Sequence, residues 1–93
     1  MGEYIIVLEA RAEKDLKRHY KAGNKATINR INQIYEELKS HPKTGLGNPE
    51  ALKHDLTGYW SRRINQKDRL IYKIDENIVT VFVISAMGHY NDK

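Results

Sequence analysis

Five apolar residues near the middle of the chain constrain it most. Ile28, Ile31, Ile34, Tyr35 and Leu38 recur three and four positions apart, the spacing that lines one side of an α-helix. The charged residues Arg30, Glu36, Glu37 and Lys39 occupy much of the remainder. This stripe predicts a helix over residues 25–40 that must bury one side against another element. Just upstream, residues 10–20 are dense in charge but set Leu16 and Tyr20 four apart, which predicts a second helix. Gly23-Asn24 is a natural stop between the two, because both residues tolerate the left-handed backbone that follows many helices. The pair reads as an antiparallel hairpin.

The partner surface for this hairpin has to come from the flanking segments. Tyr4-Ile5-Ile6-Val7-Leu8 reads as a short buried strand. Pro42, Gly45, Gly47 and Pro49 exclude regular structure from the loop over 41–49. Beyond it the pattern suits strands over residues 52–56, 59–64, 69–74 and 78–85, with turns at Thr57-Gly58, Asn65 to Asp68 and Asp75 to Asn77. In the third of these strands Leu70, Tyr72 and Ile74 alternate with Arg69, Ile71 and Lys73, and the last is apolar on both faces, as suits a central strand. N-terminal strand, helix hairpin and antiparallel β-meander predict a single α+β domain over residues 1–93. Its helices pack on one face of the sheet, leaving the other face for function.

Composition narrows the class of partner. A chain of 93 residues buries only about 60–65% of its unfolded surface, so its core is thin. No cysteine is present, which excludes disulfides and thiolate–metal sites and suits a reducing cytoplasm. Glu9 and Arg11 interrupt the apolar start, so no signal peptide is expected, and no stretch approaches the roughly 20 apolar residues of a membrane span. The net charge of +4 favours anionic partners. Its distribution says more than its size. Lys53, His54, Arg62, Arg63, Lys67, Arg69 and Lys73 gather in the meander, with Tyr59, Trp60 and Tyr72 among them. Cations hold phosphates and rings stack on unpaired bases, so the mixture suits single-stranded nucleic acid. It equally suits a solvated sheet face, and composition does not separate the two.

A resemblance does. The run Pro49-Glu50-Ala51-Leu52-Lys53-His54-Asp55-Leu56-Thr57-Gly58-Tyr59-Trp60-Ser61-Arg62-Arg63-Ile64 resembles the signature of the YoeB/Txe branch of the RelE toxin family. Asp68-Arg69-Leu70-Ile71-Tyr72 and Gly88-His89-Tyr90 follow at fitting distances, and Gly45-Leu46-Gly47 and the hairpin also fall where that family has them. Two departures stand out. Asn91-Asp92-Lys93 follow Tyr90, where the type members stop, and the first strand has Val7 and Leu8 near the point where many members carry a Trp.

The resemblance implies a ribosome-dependent, metal-independent endoribonuclease that cuts mRNA in the ribosomal A site through the RNA 2′-OH, with no cofactor. It implies a cognate antitoxin as partner, operator DNA bound only through that antitoxin, a cytoplasmic setting and no membrane; a homodimer is compatible with it. Such a reaction needs a base for the 2′ proton, an acid for the departing 5′ oxygen and a cation for the charge building on phosphorus. Carried over residue by residue, Glu50 is the base, His89 the acid and Arg69 the stabilising cation, with Tyr90 orienting the phosphate or stacking on a base. Lys53, His54, Arg62 and Arg63 are the implied RNA contacts. Each has a plainer reading. Glu50 could cap a turn, Arg69 could pair with Asp68 or Glu76 for about 0–1 kcal/mol, and His89 could be solvated tail. His54 is the rival acid, Trp60 suits packing better than stacking, and His19 and His41 carry no expected role. The four histidines lack metal-ligand spacing, so no metal is expected. The alternative function is a non-catalytic ribosome- or RNA-binding inhibitor of translation, a decayed toxin. A structural DNA-binding domain is disfavoured for want of a DNA-reading helix.

Because side chains alternate along a strand, turn length sets which cations meet. A three-residue turn at Asn65-Gln66-Lys67 puts Arg63 opposite Arg69, as the chemistry needs. A three-residue turn at Asp75-Glu76-Asn77 would set Val83 opposite Arg69 and give His89 the same parity as Arg69.

Overall fold

The computed structural model describes residues 3–53 and 57–88. Strand β1 (Ile5–Leu8) is followed by α1 (Ala10–Ala22), α2 (Lys25–Ser40), β2 (Glu50–Ala51), β3 (Tyr59–Arg63), β4 (Arg69–Asp75) and β5 (Thr80–Ser85). The helix bounds come from local chemistry. Gly23 ends α1 in the left-handed conformation, φ 77°, with its N–H on the His19 carbonyl at 3.2 Å. Asn24 then starts α2, its side-chain oxygen accepting the Thr27 N–H at 3.0 Å, which satisfies one of the unpaired donors of a first turn. The helix over 25–40 has the bounds its stripe predicts.

The five strands form one mixed sheet in the order β1-β5-β4-β3-β2. β2 to β5 are an antiparallel meander, and β1 lies parallel to β5, pairing Ile5 with Thr80 and Leu8 with Val83. β5 is therefore central, as its apolar character predicts. β1 is not the buried strand expected: it is an edge strand with one neighbour, and Ile5 is 64% exposed while Ile6 and Leu8 face inward. Ala12 and Leu16 of α1 and Ile31, Ile34 and Leu38 of α2 form one core with Ile64, Leu70, Tyr72, Val81 and Val83. Among the described residues, no helix lies over the opposite face.

The two turns turned out differently. At the first, Ile64 N–H donates to Asp68 O at 3.0 Å, and Asn65 Oδ1 accepts the N–H of Lys67 and of Asp68. Three residues close the turn, and Arg63 pairs with Arg69. At the second, Asp75 stays in the strand opposite Thr80, its carboxyl accepts the Asn77 N–H, and Val79 adopts φ 49°. A β-branched residue with positive φ is rare, and nothing in the sequence announces it. The turn is longer than expected, so Val83 faces Tyr72 rather than Arg69. A bulge between Ile71 and Tyr72 then shifts the register, and Ser85 pairs with Ile71 on the face of Arg69. The strand expected over 52–56 is also displaced. The pairing is Glu50 with Ser61 and Ala51 with Trp60, and Leu52 N–H closes on Tyr59 O at 2.9 Å. Residues 54–56 lie outside the described residues.

Candidate active site

The site is built from the loop before β2. Arg62 is fully buried, because it alternates with Trp60 and Ile64 and so points to the helix side of β3. Its guanidinium is fully engaged there. It pairs with Glu37 Oε1 at 2.6 Å and donates to the carbonyls of Leu46, His41 and Thr44 and to the Tyr72 hydroxyl. Tyr72 in turn donates to Pro42 O at 2.6 Å, and burial raises its phenol above its ordinary pKa, with Arg62 partly opposing. Burial works to raise Glu37 too, but the Leu46 N–H and Arg62 outweigh it and hold the carboxyl below its usual range. The expectation that Arg62 contacts RNA is therefore corrected: the side chain is a strap that ties the loop over 41–46 to the sheet. Gly47 continues the tie. Its carbonyl accepts the Arg63 N–H at 2.7 Å, and a Cβ on it would lie 2.7 Å from Arg63 O. Held this way, the chain enters β2 with Glu50 beside Ser61.

On the helix-free face the register lays out a short grid. Glu50 pairs with Ser61, Ser61 with Ile71 and Ile71 with Ser85. Ser61, Ile71 and Ser85 are buried, and among the described residues Ser61 Oγ has no hydrogen-bond partner. Two residues along, Arg63 and Arg69 sit side by side at one end of this floor, and Tyr59 and Lys73 at the other. Diagonal neighbours of this kind lie about 7–8 Å apart, their Cβ atoms somewhat closer, so the Glu50 carboxyl and the Arg63 guanidinium can reach one phosphodiester between them. Glu50, Lys53 and Arg63 are exposed and Arg69 is half-buried. Lys73 Nζ stands 5.9 Å from the Tyr59 ring centre, and Phe82 and Ile84 line the same depression.

Among the sequence-derived candidates, Glu50, Arg63 and Arg69 share this face. Lys53 follows β2 two residues after Ala51. His54, His89 and Tyr90 lie outside the described residues, as does the parity expected of His89. The backbone leads to Gly88, whose carbonyl accepts the Arg69 N–H at 3.1 Å and whose N–H donates to Asp68 Oδ1 at 3.0 Å. Trp60 packs against the core and Tyr72 is buried within it, so among the described residues Tyr59 and Phe82 are the rings at the open face. Sequence reasoning missed Glu37, read as surface charge, and Asp68, which braces Gly88. For Arg62 the signal existed, since its parity with Trp60 and Ile64 marks an inward position. An apolar groove between the helices, lined by Leu16, Tyr20, Ile31 and Tyr35, lies on the other side of the sheet. Among the described residues no three His, Cys, Asp or Glu side chains converge as a metal site would require, and no helix is long and apolar enough to cross a membrane.

The profile of the YoeB-like toxin of bacterial type II toxin-antitoxin systems matches residues 9–90. Toxin YoeB of Streptomyces coelicolor is 40% identical over 73 residues, covering 77% of this chain and 83% of that one. Toxin RelK of Mycobacterium tuberculosis is 39% identical over 69 residues, covering 74% and 79%. Among solved structures, a YoeB/ParE toxin from Agrobacterium tumefaciens superposes with a TM-score of 0.82 at 31% identity, covering 92% of this chain and 99% of that one. YoeB from Staphylococcus aureus, solved as a dimer and in a heterotetrameric complex with YefM, gives TM-scores of 0.78 and 0.76 at 33% and 34% identity, covering 94% and 98% in each case.

Proposed function

Since the chain belongs to the YoeB-like toxins of bacterial type II toxin–antitoxin systems, we propose that it is a ribosome-dependent endoribonuclease that cuts mRNA in the A site. The observation that carries the proposal is the shared open face: the carboxyl of Glu50 and the adjacent Arg63–Arg69 pair stand over one floor, on the side of the sheet that the helices leave free. A base and paired cations beside one phosphodiester are what transesterification by the RNA itself requires.

In this reading Glu50 takes the proton from a ribose 2′-OH. The 2′ oxygen bonds to the adjacent phosphorus, and the bond from phosphorus to the 5′ oxygen breaks. His89 protonates that leaving oxygen, so the products are a 2′,3′-cyclic phosphate and a 5′-hydroxyl. Arg69 and Arg63 hold the added negative charge on the phosphoryl oxygens, Lys53 and His54 contact the neighbouring backbone, and Tyr90 orients the phosphate or stacks on a base. The steps use no metal or cofactor. The ribosome supplies the mRNA held in its A site. A cognate antitoxin covers the basic face with acidic residues and carries the contacts to operator DNA, and the protein acts in the cytoplasm. YoeB of Staphylococcus aureus forms both a dimer and a complex with YefM, which supports an antitoxin partner and a self-association of this chain.

The test is a translating extract with added protein, new mRNA ends being mapped by primer extension. Wild type is expected to produce codon-positioned cuts. Glu50→Ala and His89→Ala should each slow cutting about a hundredfold or more, and Arg69→Ala about 10²–10³-fold. Translation blocked without cuts would instead identify a non-catalytic inhibitor. Cuts unchanged in Glu50→Ala and His89→Ala would remove the catalytic assignment.

A further inference from the structure

Two buried groups on α1 take no part in the reaction above. Asp15 and His19 are one helical turn apart and only 6% and 5% exposed. Both spend their hydrogen bonds on the same residue. Ala86 N–H donates to Asp15 Oδ2 at 2.9 Å, and His19 Nε2 lies 2.8 Å from Ala86 O. A carbonyl oxygen only accepts, so Nε2 carries the hydrogen. The exposed Arg11 stands 3.8 Å from the same Asp15 oxygen. Two residues further on, Gly88 is gripped from the other side: its N–H by Asp68 Oδ1 and its carbonyl by the Arg69 N–H. Asp68 is itself braced by Asn65 at 3.2 Å.

At the point where β5 leaves its ladder, the N–H and C=O of both Ala86 and Gly88 are thus held by groups from α1, the β3–β4 turn and β4. A chain leaving a sheet ordinarily frays, with water satisfying its backbone. Buried polar networks contribute little net stability, but when fully satisfied they hold one geometry. Here the geometry they hold is that of the residues leading to His89, with Gly88 fastened to the backbone of Arg69.

We propose that Asp15 and His19 are positioning residues for RNA cleavage: by clamping Ala86 they set the point from which the chain runs to Gly88, fastened to the Arg69 backbone, and on to the next residue, the acid His89. The proposal rests on the endoribonuclease reading and deepens it.

The experiment compares His19→Leu, which has no donor, with His19→Gln, whose amide can donate to the same carbonyl. Cutting is followed in the translating extract over a range of protein concentrations. The clamp predicts that His19→Leu lowers the saturated cutting rate at least about tenfold, the scale of a small misplacement of a reacting group, with the half-saturating concentration unchanged. His19→Gln should recover most of that loss. In a His89→Ala background, His19→Leu should have no further effect, because the group it positions is gone. If His19→Leu does not fold, His19→Asn, too short to reach the carbonyl, takes its place. Equal losses in the Leu and Gln variants, a full additional loss in the His89→Ala background, or a wild-type rate in His19→Leu would each overturn the clamp while leaving the nuclease intact. Absence of cutting by wild type, or wild-type cutting by His89→Ala, would instead overturn the reading beneath it and the clamp with it.

Discussion

A single arginine shows how far one residue's role depends on its face. Arg62 and Arg63 are neighbours, yet one is buried and paired with the half-buried Glu37 while the other lies exposed beside Arg69. Removing Arg62 strands the half-buried Glu37 carboxylate and leaves the carbonyls it held without their donor, at a cost of about 3 kcal/mol, the low end for an ion pair that is not fully buried. Arg62→Ala should lose that much in urea unfolding, a large part of the roughly 5–15 kcal/mol that holds a domain together. Arg62→Lys should recover little, because an ammonium cannot reproduce the planar fork that reaches Glu37 and three carbonyls at once. The same pair makes stability depend on pH. In the folded chain Glu37 titrates below its usual value of 4.5, burial opposing but the Leu46 N–H and Arg62 prevailing. The unfolded chain therefore takes up this proton first as pH falls. The contribution is complete above the usual value and is lost as pH drops through the lower folded one. Unfolding followed between pH 6 and 3 should show a smaller acid-induced loss in Glu37→Gln than in wild type.

At the level of elements, the loop before β2 carries the most information per residue. Gly47 has φ 82° and its carbonyl serves as an edge partner for Arg63. Gly47→Ala should cost about 1–3 kcal/mol for the left-handed backbone alone, and Arg63 must also shift to admit the new Cβ. Thermal melts should show the destabilisation, and cutting should fall with it because β2 and Glu50 hang from this loop. The second helix was legible to its bounds and the first to within two residues, α1 running on to Ala22 before Gly23 stops it, because the Gly23-Asn24 stop is a local signal and the stripe of Ile31, Ile34 and Leu38 repeats within one element. The β3–β4 turn was legible as a condition, because Asn65 organises it within three residues. The β4–β5 turn was not: Val79 in a left-handed conformation has no sequence signature, and a longer turn moved Val83 from Arg69 to Tyr72.

Over the whole molecule, the sheet separates two jobs. One face joins the helices in the core, and the other gathers Glu50, Arg63, Arg69 and Lys73 around a buried floor. If that face tracks an RNA backbone, affinity for a single strand should fall with salt, each neutralised phosphate contributing about 0.7 to the slope of log affinity against log salt. Arg63→Ala should weaken binding of an unstructured oligonucleotide in a titration series and reduce that slope by about one such contribution. An unchanged slope would remove Arg63 from the RNA contacts.

Residue order alone determined the helix hairpin, the meander, the family and the residues worth testing, because periodicity, caps and motif spacing act over a few positions. Tertiary structure alone decided three matters. Arg62 became a strap because its partners come from 10 to 25 residues away. The open face acquired a buried floor because three strands align Ser61, Ile71 and Ser85. Asp15 and His19 found Ala86 across about 70 residues of chain, a meeting that no local pattern encodes because it exists only once α1 has packed against β5.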